Sequence, residues 1–286
     1  MITSFIHSWY GQLRGYQRRA IRLRVQANQK LPADVMAQYA RHLFQKRVMD
    51  AISQIPAYAA KVEKHLGSLP AGRPRIRLEE LPVWTRKDQN QLFASSFRPP
   101  VESSYTYSTC GSTGVPVRFH ATRESYEWKI AVSNRGYSWA GADEGKKSVY
   151  IWGTPLRGPG LLAAIKQHAG NMLHNRSYFD AFRQFGAKEK AKCCAMINRH
   201  RPEAIVGYTG YLVDLARYVR DHPQSLQWKA KTLVIAAEGL QPGQKELLEA
   251  GLAGEVFLAY GSREFMLIGM ECPLHSGYHL TTDSLL

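Results

Sequence analysis

The pattern of apolar and polar positions divides the chain into a helical beginning, an irregular middle and a regularly alternating end. From Leu31-Pro32 onward, Val35, Met36, Tyr39, Leu43, Val48 and Ile52 are spaced to form one broad apolar helix face, while Arg41, Lys46 and Arg47 face water. Pro56 is expected to end that helix, because proline lacks the backbone N–H that continuation needs. Residues 68–75 read as a connector containing Pro and Gly. The period then changes. Tyr105 and Tyr107 flank Thr106, Val117 and Phe119 flank Arg118, and both stretches suit strands. Thr122 is placed to cap a helix running to Trp139, with Gly141 ending it. Residues 148–152 suit a buried strand. From Ala187 the alternation is regular: helix over 188–200, strand over 204–207, helix over 211–220 with Leu212, Leu215, Ala216 and Val219 on one face. A strand over 232–236, a helix over 244–250 and a strand over 255–260 follow. Such alternation predicts an α/β fold of mostly parallel sheets flanked by helices.

In parallel sheets ligands bind beyond the carboxyl ends of the strands. Three short segments lie there: Gly207-Tyr208-Thr209-Gly210, Ala237-Glu238-Gly239 and Tyr260-Gly261-Ser262-Arg263-Glu264. A carboxylate at such an edge can hold the magnesium ion that neutralises nucleotide phosphates. A tyrosine offers a flat face for adenine. The plainer readings are a solvated helix-start carboxylate for Glu264 and an ordinary strand residue for Tyr260. Trp152, at the end of its strand, is a candidate for the substrate pocket or simply core. The loop between the two earlier strands is also distinctive. Ser108, Thr109, Ser112 and Thr113 give four hydroxyls within six positions, and Gly111 and Gly114 let backbone N–H groups approach an anion. It is either a phosphate cradle or an ordinary hairpin loop. It is not a Walker A loop, since no Gly-Lys-Ser/Thr follows at the required spacing.

Composition narrows these readings. The 286 residues allow one large α/β domain or two small ones. No apolar run is long enough to span a bilayer. Four cysteines, two of them adjacent at Cys193-Cys194, do not form a disulfide framework, and a reducing cytoplasm is the expected location. A net charge of +15 suits nucleic acid, an anionic membrane surface or a solubilising surface. No zinc-finger spacing or aromatic RNP motif is present, so the expectation is a basic surface with an anionic small ligand and no nucleic acid. Residues 1–30 carry no acid. They interleave Arg14, Arg18, Arg19, Arg22 and Arg24 with apolar residues and are read as a separate basic segment. A helix packed with its basic face in water is preferred there over peripheral membrane contact or a transit peptide. Near the end, Cys272, His275 and His279 have metal-compatible spacing, whereas a zinc site normally takes four ligands. A reduced cysteine and surface histidines are the simpler reading.

Several of these segments together resemble the adenylate-forming (acyl-CoA synthetase) superfamily. The branch they are most similar to is that of phenylacetate-CoA ligase-like proteins, with coenzyme F390 synthetases and capsular polysaccharide biosynthesis proteins. Thr109-Cys110-Gly111-Ser112-Thr113-Gly114-Val115-Pro116 resembles the superfamily phosphate loop, with Cys110 where Ser is common. Leu81-Pro82-Val83-Trp84-Thr85-Arg86-Lys87 resembles the entry to that loop. Residues 201–208, Ala237-Glu238-Gly239-Leu240 and Tyr260-Gly261-Ser262-Arg263-Glu264 follow in the family order. The resemblance covers 31–286 and implies the large N-terminal domain. It implies that Tyr260 contacts adenine, that Glu264 binds Mg2+, and that Glu238 and Gly239 border the nucleotide. It further implies that the 153–180 region, Trp152 and Tyr208 help line the acyl pocket, and that Cys272 and His279 belong to a pattern holding zinc in some members.

The activity implied is ATP-dependent conversion of a small carboxylic acid to an acyl-adenylate, with coenzyme A as a candidate acceptor. Family members continue into a ribose-binding Asp, a hinge and a mobile domain with a catalytic Lys. The chain is therefore expected to be an incomplete adenylating domain without its lid, with one half of a split ligase, completed by a separate C-terminal chain, as one alternative. A non-catalytic nucleotide- or partner-binding remnant is the other. Asp283 lies too early in the chain to be the ribose Asp.

Overall fold

A computed structural model describes residues 18–68, 76–95, 97, 104–109, 115–152, 169–172, 174–181 and 185–284. The expectations for 1–17 of the basic segment, for most of the 68–75 connector, for loop residues 110–114 and for much of 153–180 lie outside them. The chain divides into two compact units.

The sheet unit comprises Ala131–Ser262 and Met266–Thr281 of the described chain. Its strands are β3 (Ser148–Trp152), β4 (Arg176–Asp180), β5 (Ala204–Tyr208), β6 (Ala230–Ala236), β7 (Ala253–Ser262), β8 (Met266–Met270) and β9 (His279–Leu280). They form one sheet in the order β4-β3-β5-β6-β7-β8-β9. β4 through β7 in that order run parallel, and β8 and β9 are antiparallel additions. The connections from β4 to β5, β5 to β6 and β6 to β7 are helical, as crossovers require. Helix α6 (Ala187–His200) precedes β5, α7 (Thr209–Asp221) joins β5 to β6, and α8 (Gln244–Gly251) precedes β7.

Alternation along the strands sends side chains to two cores. Val149, Ile151, Ile205, Leu233 and Ile235 pack with Cys193, Cys194 and Ile197 of α6 and with Leu212, Leu215 and Ala216 of α7. Val206, Val234 and Phe257 point the other way, into a cluster with Ala140, Leu267 and Met270. Both faces are therefore buried, which is why β5 reads as the continuous run Ala-Ile-Val-Gly rather than as an apolar–polar alternation. The four apolar positions expected on one face of α7 are all buried.

The helical unit comprises Ala20–Ile130, Arg263–Phe265 and Thr282–Leu286. It contains helices α1 (Arg18–Asn28), α2 (Ala33–Gln54), α3 (Pro56–Leu66) and α4 (Arg86–Ala94), the antiparallel hairpin of β1 (Ser104–Ser108) and β2 (Arg118–Thr122), and the first half of α5 (Arg123–Trp139). Two details correct the sequence reading. Pro56 ends α2 but also opens α3 at once. Its missing N–H costs nothing at a first helical position, and it holds the preceding Ile55 extended, at φ −121° and ψ 91°. The apolar face of α2 is also only partly used. Val48 and Ile52 join Val62 of α3 and Ile76 in a core, whereas Val35 is 41% exposed. α2 has 22 residues and α3 only 11, so the shared core reaches only the second half of α2. Thr122 caps α5 as expected, its Oγ1 accepting the Ser125 N–H at 3.1 Å. Asp283 is buried and accepts from the Asn28 side chain at 3.3 Å.

Candidate functional site

The candidate residues fall into two groups, one in each unit, and each group has its own geometry. In the sheet unit the parallel register aligns the carboxyl ends of β5, β6 and β7. Tyr208 pairs with Ala236, and Ala236 with Ala259. Trp152 ends β3 one residue beyond the Ile151–Gly207 pair. The Trp152 and Tyr208 rings stack with centroids 4.3 Å apart and planes at 29°. That contact needs β3 and β5 close together, and Gly207 permits it: a Cβ there would lie 2.8 Å from the Ile151 carbonyl oxygen. Tyr211, on the first turn of α7, continues the aromatic row at 6.2 Å from Tyr208.

The turn after β6 is tied down from α7. The buried Thr209 hydroxyl donates to the Glu238 carbonyl at 2.7 Å and lies 3.3 Å from the Ala236 carbonyl. Ala237 takes a left-handed φ of 81°, which turns the chain sharply. The Glu238 carboxylate then lies against Gly210, where a Cβ would sit 3.3 Å from Oε2. Helix α7 has no acidic residue in its first turn and no side-chain N-cap. Glu238 thus supplies, from another strand, the negative charge that a helix N-terminus favours. Gly239 is exposed.

Tyr260 is 57% exposed, with its ring 6.2 Å from Tyr278. It pairs with Gly269, and a bulge separates it from Gly261. Gly261 is dictated by sterics, because a Cβ would overlap the Met266 carbonyl oxygen of the returning strand. β7 continues through Ser262 and turns at 263–265 into β8. Glu264 is therefore a half-exposed residue of a hairpin turn and does not start a helix, which corrects the plainer sequence reading. The bulge at Gly261 and the antiparallel return of β8 leave no room for a helix at that point.

In the helical unit, the stem of the hydroxyl-rich loop is held by two hydrogen bonds. The Thr109 N–H donates to the Val117 carbonyl at 2.9 Å, and the Val117 N–H donates to Thr109 Oγ1 at 3.0 Å. The Thr109 hydroxyl accepts here, so its own hydrogen stays free for a ligand. Ser108 is exposed at the end of β1. Gly111, Ser112, Thr113 and Gly114 lie outside the described residues. Below the loop, Tyr105 packs on Tyr107 at 6.4 Å and on Tyr126 of α5 at 5.4 Å, and Tyr107 stacks on Phe119 at 5.5 Å. Burial raises the Tyr107 phenol above its ordinary value; Tyr126 and Tyr105 add to the shift and the nearby Arg263 opposes it. Burial lowers the Lys129 ammonium, and the Glu264 carboxylate works against that shift. Within this unit, then, Arg263 acts electrostatically on Tyr107 of β1, and Glu264 on Lys129 of α5. Sequence reading missed Lys129, and it singled out the segment holding Thr209 without giving that residue a role. Thr209 carried a weak signal, a hydroxyl directly after a strand. Lys129 carried none, because its partner lies 135 positions away in the chain.

The zinc expectation fares differently. His275 spans two carboxylates, Nε2 to Glu255 at 3.0 Å and Nδ1 to Glu271 at 3.3 Å. The His279 ring lies 5.0 Å from that of Trp139. Among the described residues no group of three or more His, Cys, Asp or Glu is placed to hold a metal ion. Cys272, His275 and His279 are thus not assembled into such a set, since each histidine is engaged elsewhere. No described helix is long and apolar enough to cross a membrane.

Comparison with known proteins gives a likeness of fold. No family model matches the sequence, and no curated protein matches it significantly. Among solved structures, 2-hydroxyisobutyryl-CoA ligase in an open conformation, in complex with 2-HIB-AMP and CoA, is 19% identical. Its TM-score is 0.61 over 82% of this chain and 52% of the ligase. The same ligase in its thioesterification state, again with 2-HIB-AMP and CoA, is 21% identical with a TM-score of 0.63 over 85% and 52%. The chain thus spans about half the length of the solved ligase it matches. Its α/β fold, a mostly parallel sheet flanked by helices, is similar to that of the matched half of this ligase.

Proposed function

We propose that this chain supplies the nucleotide- and acid-binding half of an ATP-dependent ligase that activates a small carboxylic acid as its acyl-adenylate. One observation carries the reading. Three of the motifs that resemble the family, at Gly207-Tyr208, Ala237-Gly239 and Tyr260, fall in order on the carboxyl ends of the adjacent parallel strands β5, β6 and β7. That is where open parallel sheets bind ligands. The likeness to a CoA ligase supports the fold on which the reading stands.

In this reading the carboxylate of the acid attacks the α-phosphorus of ATP, the bond to the β-phosphate breaks, and pyrophosphate leaves. A thiol, with coenzyme A the candidate, then attacks the acyl carbonyl and AMP leaves. Exposed Tyr260 offers adenine a face, and Glu238 and Gly239 border the nucleotide. The phosphates would be held by Ser108, Thr109, Ser112, Thr113 and the glycine N–H groups of Gly111 and Gly114. Gly261 and Ser262 place the turn that carries Glu264. Glu264, half-exposed, is a suitable oxygen ligand for Mg2+, and the ion would neutralise phosphate charge. The Trp152–Tyr208 stack forms an aromatic wall for the acyl group. Residues 31–286 make up this half-site, with 1–30 a separate basic segment.

Titration calorimetry with ATP and Mg2+ tests the reading. Wild type should bind MgATP, and Glu264→Ala should lose the magnesium-dependent part of the affinity while keeping its fold. Carboxylate-dependent ATP–pyrophosphate exchange by the chain alone should be slow or absent. Failure of wild type to bind MgATP, or equal binding by Glu264→Ala, would count against the nucleotide site. Robust exchange would refute the division into two halves.

A further inference from the structure

Between α3 and α4 of the helical unit lies an open cleft of about 810 Å³. Small-ligand sites commonly fall in the range of roughly 300–1,000 Å³. The helical period explains its walls. Ala57, Ala60 and Lys64 recur every three or four residues along α3, so one stripe of that helix faces the opening. Asp88, Gln91, Leu92 and Ser95 do the same along α4 and its C-cap. Pro82 and Trp84 come from the segment entering α4. The two alanines leave open the space that larger side chains would fill.

The charges of the lining are unevenly used. Asp88 is its one acidic residue, and one of its oxygens, Oδ2, is engaged three times. Its carboxylate takes Lys61 Nζ at 2.6 Å, the Thr85 N–H at 2.7 Å and the Thr85 hydroxyl at 2.5 Å. Lys64 and His65 have no acidic partner among the described residues and are exposed. The Trp84 indole N–H is already donated to Gln89 at 3.0 Å, so Trp84 contributes apolar ring surface. The result is an apolar trough with an unneutralised cationic rim.

We propose that this cleft binds a small organic anion, an apolar body bearing one carboxylate or phosphate group. The body lies on Ala57, Ala60, Leu92 and Trp84, and the anionic group meets Lys64 and His65. The cleft is tested separately from the nucleotide reading, because none of the residues assigned there to contact nucleotide, magnesium or acid lines it.

Fluorescence titration of the whole chain tests it. The probe is 1-anilinonaphthalene-8-sulfonate, an aromatic body with one sulfonate, and its uncharged counterpart N-phenyl-1-naphthylamine is the control. Wild type should bind the sulfonate saturably and the neutral compound at least about tenfold more weakly, as expected where a local cation recognises the anion. Lys64→Glu should weaken sulfonate binding by about tenfold through charge reversal. Ala60→Trp should fill the trough and remove the saturable site. Both positions are exposed, so both variants should keep wild-type circular dichroism and melting. Displacement by benzoate would identify a carboxylate site, and displacement by phenyl phosphate a phosphate site. Displacement by neither, no saturable binding to wild type, or equal binding by wild type and both variants overturns the proposal.

Discussion

At the scale of single residues, the candidate site depends on backbone positions as much as on functional groups. Gly261 is the clearest case. Its Cα faces the Met266 carbonyl across the β7–β8 hairpin, and no side chain fits there. Met266 itself takes a left-handed φ of 62°, so the turn is already tightly wound. Gly261→Ala should therefore destabilise the protein by roughly 1–3 kcal/mol, the usual cost of a forced backbone distortion. Urea unfolding would measure it. An unchanged midpoint would mean that the hairpin relaxes freely, and the placement of Glu264 at its tip would then lose its structural basis. Thr209 makes the same point with a polar group: one buried hydroxyl fixes the turn bearing Glu238.

At the scale of elements, α4 shows how a short helix is anchored. Thr85 and Asp88 form a reciprocal capping box, and Lys61 of α3 adds an ion pair to the same carboxylate. Hydrogen bonds from Lys61, then Thr85, hold the Asp88 carboxyl well below the ordinary carboxylate range. The sign follows from linkage. A lowered folded-state value gives stability that is fully present above the unfolded value of about 4 and is lost as pH falls towards the folded one. Asp88→Asn should lower the urea midpoint at pH 7, and the difference from wild type should shrink below about pH 4. A difference independent of pH would show that the carboxylate charge is not what anchors the helix. His275 plays a comparable part in the sheet unit, joining Glu255 of β7 to Glu271 after β8.

At the scale of the whole molecule, the half-buried tyrosines of the sheet unit set an alkaline limit. Tyr137 and Tyr150 both carry raised values because of burial, and Tyr150 is pushed up to about 12, with Arg176 opposing the shift and Tyr178 adding to it. A phenol raised in the folded state contributes stability that is complete below the unfolded value near 10 and is lost as pH rises to the folded one. Cooperative unfolding should therefore set in between about pH 10 and 12, together with tyrosinate absorbance. Tyr150→Phe removes the ionisable group and should move that transition to higher pH. A transition unchanged in the variant would assign alkaline unfolding to other groups.

Local pattern in the sequence accounts for the succession of elements from Ala187 to Tyr260, because two-sided burial of parallel strands and one-sided burial of helices leave distinct periods; it gave no sign of the antiparallel strands β8 and β9. It also placed Gly207-Tyr208, Ala237-Gly239 and Tyr260 at strand ends, since glycine and hydroxyl punctuation follows directly from chain reversal. Only the tertiary structure decided what those ends touch. The Trp152–Tyr208 stack joins residues 56 positions apart, and the Glu264 carboxylate acts electrostatically on Lys129 of a distant helix. Long-range packing also decided that Val35 stays exposed, that Glu264 sits on a hairpin turn, and that His275 and His279 turn to carboxylates and an indole instead of to each other. Local pattern records which side a residue faces; its partner there is fixed by how the whole chain closes.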